Sequence, residues 1–268
     1  MKQLFHIDNP GDSSIPKVLS IRFGQQYVCF SISNKQADQL FHLAYCTSAE
    51  WNETELDEFI VAYPVLTNSF YQVLIAYDYT ESSLVPIQDY RQEESGNVLR
   101  SLYGRGSAAI TIAEAVPQSQ LYNIFAVPKE IIDWTNRKFP SAKCWHQYTI
   151  GIRNSNAAGT AESLFVDFRK EDFTIMAVRQ GKLLLAQSYE YVSPEDVLYY
   201  LLRITQQFSL SQEECKVCLS GLVDQQSTLY KELYQYFIHL DFREATWNAG
   251  DYPAHFFTSL NDLARCAS

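Results

Sequence analysis

The fold is decided by the stretch Leu164–Tyr189, which reads LFVDFRKEDFTIMAVRQGKLLLAQSY. It contains three strand-like runs, which are separated by a polar turn and by Gln180-Gly181. β-branched and aromatic residues dominate these runs, as they do in strands that pack on a core. We therefore predict that a three-stranded meander opens the second half of the chain.

The rest of the second half alternates helices with strands. Ser193-Pro194-Glu195-Asp196 supplies a helix cap, a proline at the first helical position and two acids in the first turn. The elements predicted after that helix are a strand at Lys216–Ser220, a helix at Ser227–His239, a strand at Asp241–Trp247 and a helix at Ala254–Cys266. The resulting order is βββαβαβα.

The first half follows a similar order once one insertion is set aside. The predicted elements are strands at Val18–Gly24, Tyr27–Ser33 and Gln39–Cys46, a helix at Trp51–Leu66, strands at Phe70–Tyr77 and Leu121–Val127, a helix from Pro128 and a strand at Ala142–Trp145. Phe70–Tyr77 is almost continuously apolar, which is typical of a strand that is covered on both faces. We interpret residues from about 78 to 119 as a small subdomain inserted into the first half.

These patterns predict two α/β lobes in tandem, because a chain of 268 residues is near the length at which one core gives way to two. We expect a flexible tail at residues 1–16, a first lobe at 17–153 and a second lobe at 161–268. The linker is predicted at residues 154–160, NSNAAGT, which are small and polar.

The composition restricts the classes of partner. Apolar residues make up 47% of the chain and charged residues 19%, so the chain can fill its cores and is not intrinsically disordered. The formal net charge of -10 would repel a polyphosphate backbone, and no basic run with interleaved aromatic residues compensates for it. We therefore do not expect nucleic acid as a partner.

The cysteines and the apolar runs predict a cytoplasmic protein without a transmembrane segment. The six cysteines are scattered, mostly within apolar runs, where free thiols behave as small hydrophobic groups. The first residues, MKQLFHIDNPGDSS, lack the apolar core of a signal peptide. No later segment approaches the roughly 18 consecutive apolar residues of a spanning helix.

Two tandem βββαβαβα lobes resemble the actin-like ATPase fold, a ribonuclease H-like architecture that actin, sugar kinases and chaperone ATPases share. The chain is especially similar to the actin-like cytoplasmic proteins of type IV pilus and type II secretion systems. It also resembles a bacterial family of unknown function with a degenerate form of that fold. The resemblance extends from Val18 to about Leu263 and implies the fold more strongly than any function.

In that fold, the first hairpin of each lobe carries an Asp-x-Gly turn that wraps the nucleotide phosphates and holds the metal through water. Glycine lets the backbone approach the anion, and the carboxylate suits magnesium. Here the first turn is Arg22-Phe23-Gly24, which keeps the glycine and replaces the acid. The second turn is Asp167-Phe168-Arg169, which keeps the acid and replaces the glycine.

A third motif of the fold, a Gly-Gly pair near the adenine, is also altered. It matches at Gly221 and departs at Leu222, whose side chain would crowd a nucleotide. The degenerate cleft positions are Arg22, Gly24, Asp167, Arg169, Gly221 and Leu222. We predict no catalytic residue, no metal ligand and no cofactor, because phosphoryl transfer depends on positioning and on charge neutralisation by the metal.

The resemblance and its departures imply a scaffold or adaptor protein, a pseudo-ATPase with a protein partner. That partner is expected to bind the cleft or the inserted subdomain near Gln88–Val116. The alternative is a nucleotide-binding enzyme of the same superfamily, a divergent kinase or ATPase. The cleft could also retain a small anionic ligand on Arg22 and Arg169, because guanidinium groups suit phosphate and carboxylate.

For both arginines, we favour pairing with Asp167 or exposure to solvent over anion binding. We expect a neighbouring arginine, rather than a metal, to hold Asp167.

Three further patterns are interpreted structurally. Cys215 and Cys218 have the spacing of a redox or zinc half-site, but they lie in a predicted strand, where residues three apart face opposite sides. Gly104-Arg105-Gly106 is interpreted as a hairpin turn, since it lacks the third glycine and the following helix of a phosphate loop. Tyr230 and Tyr234 lie one helical turn apart and could form an interface patch.

Overall fold

The structure is a computed structural model that describes residues 1–9, 11, 14–104, 109–155 and 162–267. The chain divides into two compact units. The first unit comprises Met1–Ile150, Thr246–Gly250 and Leu260–Ser268, and the second comprises Gly151–Ala245 and Asp251–Ser259. Each unit is built around its own sheet and its own apolar core.

The first unit contains nine strands and three complete helices among its described residues. The strands are β1 (Lys2–Asp8), β2 (Lys17–Gly24), β3 (Tyr27–Asn34), β4 (Leu40–Thr47), β5 (Gln72–Asp78), β6 (Ser82–Pro86), β7 (Ala109–Val116), β8 (Leu121–Pro128) and β9 (Lys143–His146). The helices are α1 (Glu53–Ala62), α2 (Ser95–Tyr103) and α3 (Lys129–Lys138). A further helix, α4 (Gln147–Ser155), begins in this unit and crosses the boundary.

The main sheet of the first unit has the strand order β1-β4-β3-β2-β5-β9. β2, β3 and β4 form an antiparallel meander, and β5 and β9 extend the sheet with parallel pairings. α1 begins at Asn52, whose side chain accepts a hydrogen bond from the amide of Glu55, a typical N-cap. Leu56 and Phe59 of α1 are buried in the core against this sheet.

The prediction of a flexible tail at residues 1–16 is wrong for Lys2–Asp8. Lys2–Asp8 forms β1, which pairs antiparallel with β4 along the edge of the main sheet. The strand carries Leu4, Phe5 and Ile7 among polar residues, and Ile7 is buried. Pairing with β4 and the burial of Ile7 hold this segment as an edge strand.

A separate three-stranded sheet lies where the insertion is predicted and extends beyond its predicted end at about residue 119, to Pro128. β6, β8 and β7 form a separate three-stranded antiparallel sheet in that order. The predicted strand Leu121–Val127 is therefore the central strand of the insertion, not a strand of the main sheet. Once β8 is assigned to the insertion, the main sheet consists of four antiparallel strands, β1, β4, β3 and β2, followed by the parallel strands β5 and β9.

The second unit repeats this arrangement. Its elements are β10 (Ser163–Phe168), β11 (Asp172–Arg179), β12 (Lys182–Glu190), α5 (Pro194–Phe208), β13 (Lys216–Gly221), α6 (Thr228–Tyr234), β14 (His239–Phe242) and the start of α7 (Thr258–Ala264). The strand order is β12-β11-β10-β13-β14, which corresponds to β4-β3-β2-β5-β9 of the first unit. The stretch Leu164–Tyr189 forms the predicted meander, and Ser193 and Asp196 complete a capping box at the start of α5.

The end of the chain differs from the predicted second lobe of 161–268. Residues Thr246–Gly250 and Leu260–Ser268 belong to the first unit. Leu263 packs in a buried cluster with Val18 and Leu74, and Asn261 donates a hydrogen bond of 2.8 Å to the carbonyl of Ala37. Amphipathic periodicity predicts a helix here, but it does not tell which core the apolar face covers.

Two smaller predictions concern the linker and the membrane. Asn154 and Ser155 of the predicted linker 154–160 belong to α4, and residues 156–160 lie outside the described residues. Throughout the described parts of the chain, no helix has the length and apolar character needed to cross a membrane.

Candidate functional site

The first altered turn lies at the end of β2, beside β5. The two strands are parallel, and their register sets Gly24 opposite Asp78. Arg22 lies two residues earlier on β2, so its side chain reaches the same edge. Its Nη2 atom is 2.8 Å from Oδ2 of Asp78, and the two side chains are only 6% and 4% exposed. The arginine that replaces the expected acid is therefore part of a buried ion pair.

Tyr27 completes this buried group. Its hydroxyl donates a hydrogen bond to Oδ2 of Asp78, and the guanidinium carbon of Arg22 lies 5.4 Å from the centre of its ring. The ring also stacks on Tyr45, with 5.1 Å between the ring centres. A Cβ atom at Gly24 would lie 2.1 Å from Cε1 of Tyr27. The space above this glycine is thus filled by a tyrosine ring.

The second altered turn joins β10 and β11, next to β13. Asp167 lies opposite Ser220 in the parallel pairing of β10 with β13. Its Oδ1 atom accepts a hydrogen bond of 2.9 Å from the hydroxyl of Ser220, and its Oδ2 atom lies 3.7 Å from Nη1 of Arg169. Asp167 therefore lies within ion-pair distance of a neighbouring arginine, Arg169.

Arg169 is buried and makes several further contacts. Its guanidinium forms an ion pair with Asp172, and Nη2 donates a hydrogen bond of 2.9 Å to the hydroxyl of Thr174. The backbone amide of Arg169 donates to the carbonyl of Asp172 at 2.9 Å, which closes the turn. A side chain that replaces glycine in the sequence motif therefore folds back onto its own hairpin.

The third altered motif follows β13 and lies against the same hairpin. Gly221 has a φ angle of 77°, and a Cβ atom there would lie 2.1 Å from the carbonyl oxygen of Phe168. The amide of Leu222 donates a hydrogen bond of 2.9 Å to that carbonyl. This glycine is required because the backbone of β13 passes close to the backbone of the turn.

The structure corrects one prediction about these arginines. Neither arginine points to solvent, since Arg22 is buried on Asp78 and Arg169 is buried on Asp172. Sequence reasoning missed Asp78, Tyr27 and Asp172. The signals were available: Asp78 directly follows the apolar run Phe70–Tyr77, so a parallel pairing of that strand with β2 brings it to the altered turn.

The other sequence motifs behave as structural features. Burial raises the pKa of the Cys215 thiol to about 12 and also raises the pKa of Cys218, so neither is an activated thiolate. Gly104 ends α2, whereas Arg105 and Gly106 lie outside the described residues. Among the described residues, no group of three or more metal-binding side chains could hold a metal ion.

The tyrosines of α6 form a stacked pair, of which Tyr230 is partly buried and Tyr234 is exposed. The rings of Tyr230 and Tyr234 stack with 6.1 Å between their centres, and Tyr230 also stacks on Phe242. Tyr234 is largely exposed. The pair is available for contact, although its stacking on Phe242 also gives it a role in packing the second unit.

A model of the family described as protein of unknown function, DUF3822, matches residues 10–240 of the chain. The chain belongs to the DUF3822 family. It has no match among curated proteins. This DUF3822 chain is similar to a solved protein of Bacteroides thetaiotaomicron VPI-5482 with an actin-like ATPase fold and unknown function. The TM-score is 0.80 and the identity 22%, over 94% of this chain and 97% of that one.

A second similar structure is the PilM-PilN type IV pilus biogenesis complex. Its matched chain has a TM-score of 0.55 and 12% identity, over 93% of this DUF3822 chain and 98% of the other. These likenesses confirm the actin-like ATPase fold that the order of elements predicted. At these identities the likenesses establish the fold and not an activity.

Proposed function

We propose that this DUF3822 protein is a non-catalytic actin-like scaffold or adaptor, a pseudo-ATPase whose former phosphate and metal positions now stabilise the fold. The buried ion pair between Arg22 and Asp78 carries the proposal. The guanidinium of Arg22 places a permanent positive charge at the position where the ATPases of this fold use an acidic residue to hold their metal. In addition, Asp78 is already neutralised by Arg22 and bonded by Tyr27.

Charge is the physical reason that this arrangement argues against magnesium-dependent hydrolysis. A divalent cation brought near Arg22 would be repelled, and the repulsion is strong where water is excluded. Phosphoryl transfer needs that ion to neutralise the developing charge on the phosphate oxygens. Removing the arginine from Asp78 to make room would leave an uncompensated charge in a buried site.

The second unit supports the same proposal independently. The turn needs exposed backbone amides to wrap a phosphate, but the amide of Arg169 already donates to the carbonyl of Asp172. The guanidinium of Arg169 is occupied by Asp172 and Thr174. An anion would have to displace these partners, which also makes a small anionic ligand on Arg169 unfavourable.

The role of a scaffold requires a partner surface, and the inserted subdomain offers one. Ile87 and Leu102 of this subdomain are 45% and 60% exposed and so are accessible to a partner. PilM, a protein of the same fold, is found in a complex with PilN. By analogy, we assign the contact with a protein partner to this subdomain. The free cysteines support the cytoplasmic location predicted from sequence.

Titration calorimetry with ATP and magnesium tests the absence of nucleotide chemistry. We expect no binding heat at micromolar to submillimolar nucleotide and no release of phosphate in a parallel assay. Inorganic phosphate alone is expected to give no heat either. The matched variant is Asp167→Asn, which removes the one acid that the motif retains.

Micromolar binding of ATP and magnesium that Asp167→Asn abolishes would overturn the proposal and favour the divergent kinase or ATPase. For the partner surface, a protein that the wild-type chain captures from its native lysate should be lost with Leu102→Lys. It should be kept with Lys138→Leu, a control substitution at a solvent-exposed residue of α3 in the same unit.

A further inference from the structure

We propose that His146 is a pH-responsive cap of α4: its neutral imidazole holds the first turn of the helix, and protonation of the ring releases that turn. The device lies within the first unit, which includes His146 and the first turn of α4 up to Ile150. It requires neither a nucleotide nor a partner, so it stands or fails separately from the proposed function.

Hydrogen bonds on both ring nitrogens of His146 define its protonation state. Nδ1 lies 3.2 Å from the backbone nitrogen of Tyr148, and because an amide N–H can only donate, Nδ1 accepts. Nε2 lies 2.9 Å from the carbonyl oxygen of Tyr79, and because a carbonyl can only accept, Nε2 carries the proton. The imidazole is therefore neutral, with its hydrogen on Nε2.

This neutral ring acts as the N-cap of α4. His146 ends β9 and directly precedes the helix, which begins at Gln147. The first amides of a helix have no partner within it, and the side chain before the helix commonly accepts from the second or third of them. The acceptor here is an imidazole nitrogen. Unlike the oxygen of an asparagine or a serine, such a nitrogen becomes a donor in mild acid.

Protonation turns the cap into a repulsive contact. A proton on Nδ1 would face the N–H of Tyr148, so two donors would oppose each other. His146 is fully buried and Tyr148 is 1% exposed, which makes this opposition unfavourable. The positive charge would also lie at the N-terminus of a helix, where the helix dipole disfavours cations. Opening of the first turn relieves both effects.

Glu114 of β7 supplies an alternative partner for the protonated ring. Its Oε2 atom accepts hydrogen bonds from the backbone amide of His146 at 2.9 Å and from the hydroxyl of Thr149 at 3.0 Å. The carboxylate therefore lies beside the cap residue and the first turn of α4. An imidazolium would be drawn to this carboxylate as it leaves the amide of Tyr148.

Titratable residues lie on the elements packed around the ring. They are Glu114 on β7, Cys144 on β9, Tyr148 on α4, and Asp78 and Tyr79 where β5 ends. β8 contributes the uncharged ring of Phe125, with 4.6 Å between the ring centres. Phenols and thiols are neutral between pH 5.5 and 7.5, and burial raises the pKa of Tyr79 and of Cys144 further. Asp78 already has its buried ion pair, so Glu114 is the charge that acts on the ring.

The first turn of α4 is also a point at which hydrogen bonds attach the inserted subdomain. The hydroxyl of Thr149 accepts from Nδ2 of Asn123 at 3.4 Å, and Oδ1 of Asn123 accepts from the hydroxyl of Ser82 at 2.6 Å. Ser82, Asn123 and Glu114 come from β6, β8 and β7, one from each strand of the subdomain. Release of the turn in acid would therefore loosen the polar attachment of this subdomain to α4.

Amide hydrogen exchange of the full chain, measured by NMR, tests the device. Protection factors, which correct for the intrinsic effect of pH on exchange, are compared at pH 7.5 and 5.5. We expect protection of the Tyr148 amide to fall by about tenfold over this range, as the loss of a helix cap implies. Amides of α5 serve as the internal reference, because Ser193 and Asp196 cap that helix without a histidine.

Four variants identify the group that titrates. His146→Asn keeps an acceptor for the amide of Tyr148 but does not titrate, so protection should be equal at both pH values. His146→Leu removes the acceptor, so protection should be low at both. Glu114→Gln removes the charge that favours the imidazolium, so the loss should move to lower pH. His239→Asn, at an exposed position of the second unit, should behave as the wild type.

Two results would contradict the proposal. Full protection of Tyr148 at pH 5.5 in the wild type would show that the ring does not release the turn. An equal loss of protection in His146→Asn would assign the response to Glu114 or another group. A loss in the wild type that His146→Asn abolishes, with α5 unchanged, supports it.

Discussion

Nη2 of Arg22 lies 2.8 Å from Oδ2 of Asp78, with both side chains almost completely removed from solvent. Arg22 is on β2 and Asp78 ends β5, so the ion pair ties together two neighbouring parallel strands of the first unit. This edge of the main sheet is therefore held by an internal salt bridge. Its energetic consequences can be measured without knowing any ligand.

Arg22→Met should destabilise the protein strongly. The substitution leaves the carboxylate of Asp78 buried without its cation, and breaking one side of a buried pair costs about 3 to 5 kcal/mol in the free energy of unfolding. The double variant Arg22→Met/Asp78→Asn should lose less, because its neutral amide can still accept from Tyr27. Urea denaturation of the three proteins measures the difference.

The control for this prediction is Arg137→Met. Arg137 lies 2.7 Å from Glu53, but both side chains are more than half exposed, so the loss should stay below about 1 kcal/mol. Equal losses at Arg22 and Arg137 would show that burial does not govern the Arg22–Asp78 pair.

Gly221→Ala should destabilise the protein more than Gly181→Ala. Both glycines have positive φ angles, 77° and 71°, so each substitution carries a backbone cost of about 1 kcal/mol. Only Gly221 also faces an obstacle, because its new Cβ would lie 2.1 Å from the carbonyl oxygen of Phe168. The free energy of unfolding, measured by thermal or urea denaturation, should therefore be lower for Gly221→Ala than for Gly181→Ala by at least about 2 kcal/mol. Equal losses would contradict the close approach of β13 to the turn.

Much of this fold was predictable from sequence because its meanders are local. Leu164–Tyr189 carries its own turns and its own apolar pattern, so the three strands could be assigned without any distant contact. The meander of the first unit was recognisable for the same reason. Repetition of the element order then predicted the actin-like fold.

The remaining features depend on contacts between residues that are distant in sequence. β1 looks polar, but it is ordered by pairing with β4, about forty residues further on. The apolar face of α7 does not reveal that Leu263 packs with Val18. At the altered turns, the sequence showed which residues were lost from the motif, but the partner Asp78 appears only when β2 and β5 are paired in register.

Cys215 and Cys218 should resist alkylation in the folded protein. Burial raises the pKa of both thiols, to about 12 for Cys215, so little thiolate is present at pH 8. Mass spectrometry after brief treatment with iodoacetamide should find both cysteines unmodified in buffer and modified in urea. Rapid labelling of both in buffer would instead support the redox or metal interpretation of their spacing.

The folded protein should lose stability as the pH falls, because His42 is harder to protonate in the folded chain than in the unfolded chain. Nδ1 of His42 lies 2.8 Å from Oδ1 of Asp8, yet burial lowers the pKa of His42 below its ordinary value of 6.5, and Asp8 only partly opposes this. Between the two pKa values, the unfolded chain binds more protons than the folded one. The stability contributed by His42 is therefore complete above about pH 6.5 and is lost as the pH falls towards the lowered pKa.

Two variants separate this effect from the titration of other groups. His42→Asn should flatten the dependence of the urea midpoint on pH between 7.5 and 5.5, relative to the wild type. Asp8→Asn should steepen it, because Asp8 raises the pKa of His42 and its removal lowers that pKa further. If His42→Asn parallels the wild type over this range, the acid sensitivity of the first unit must arise from other groups.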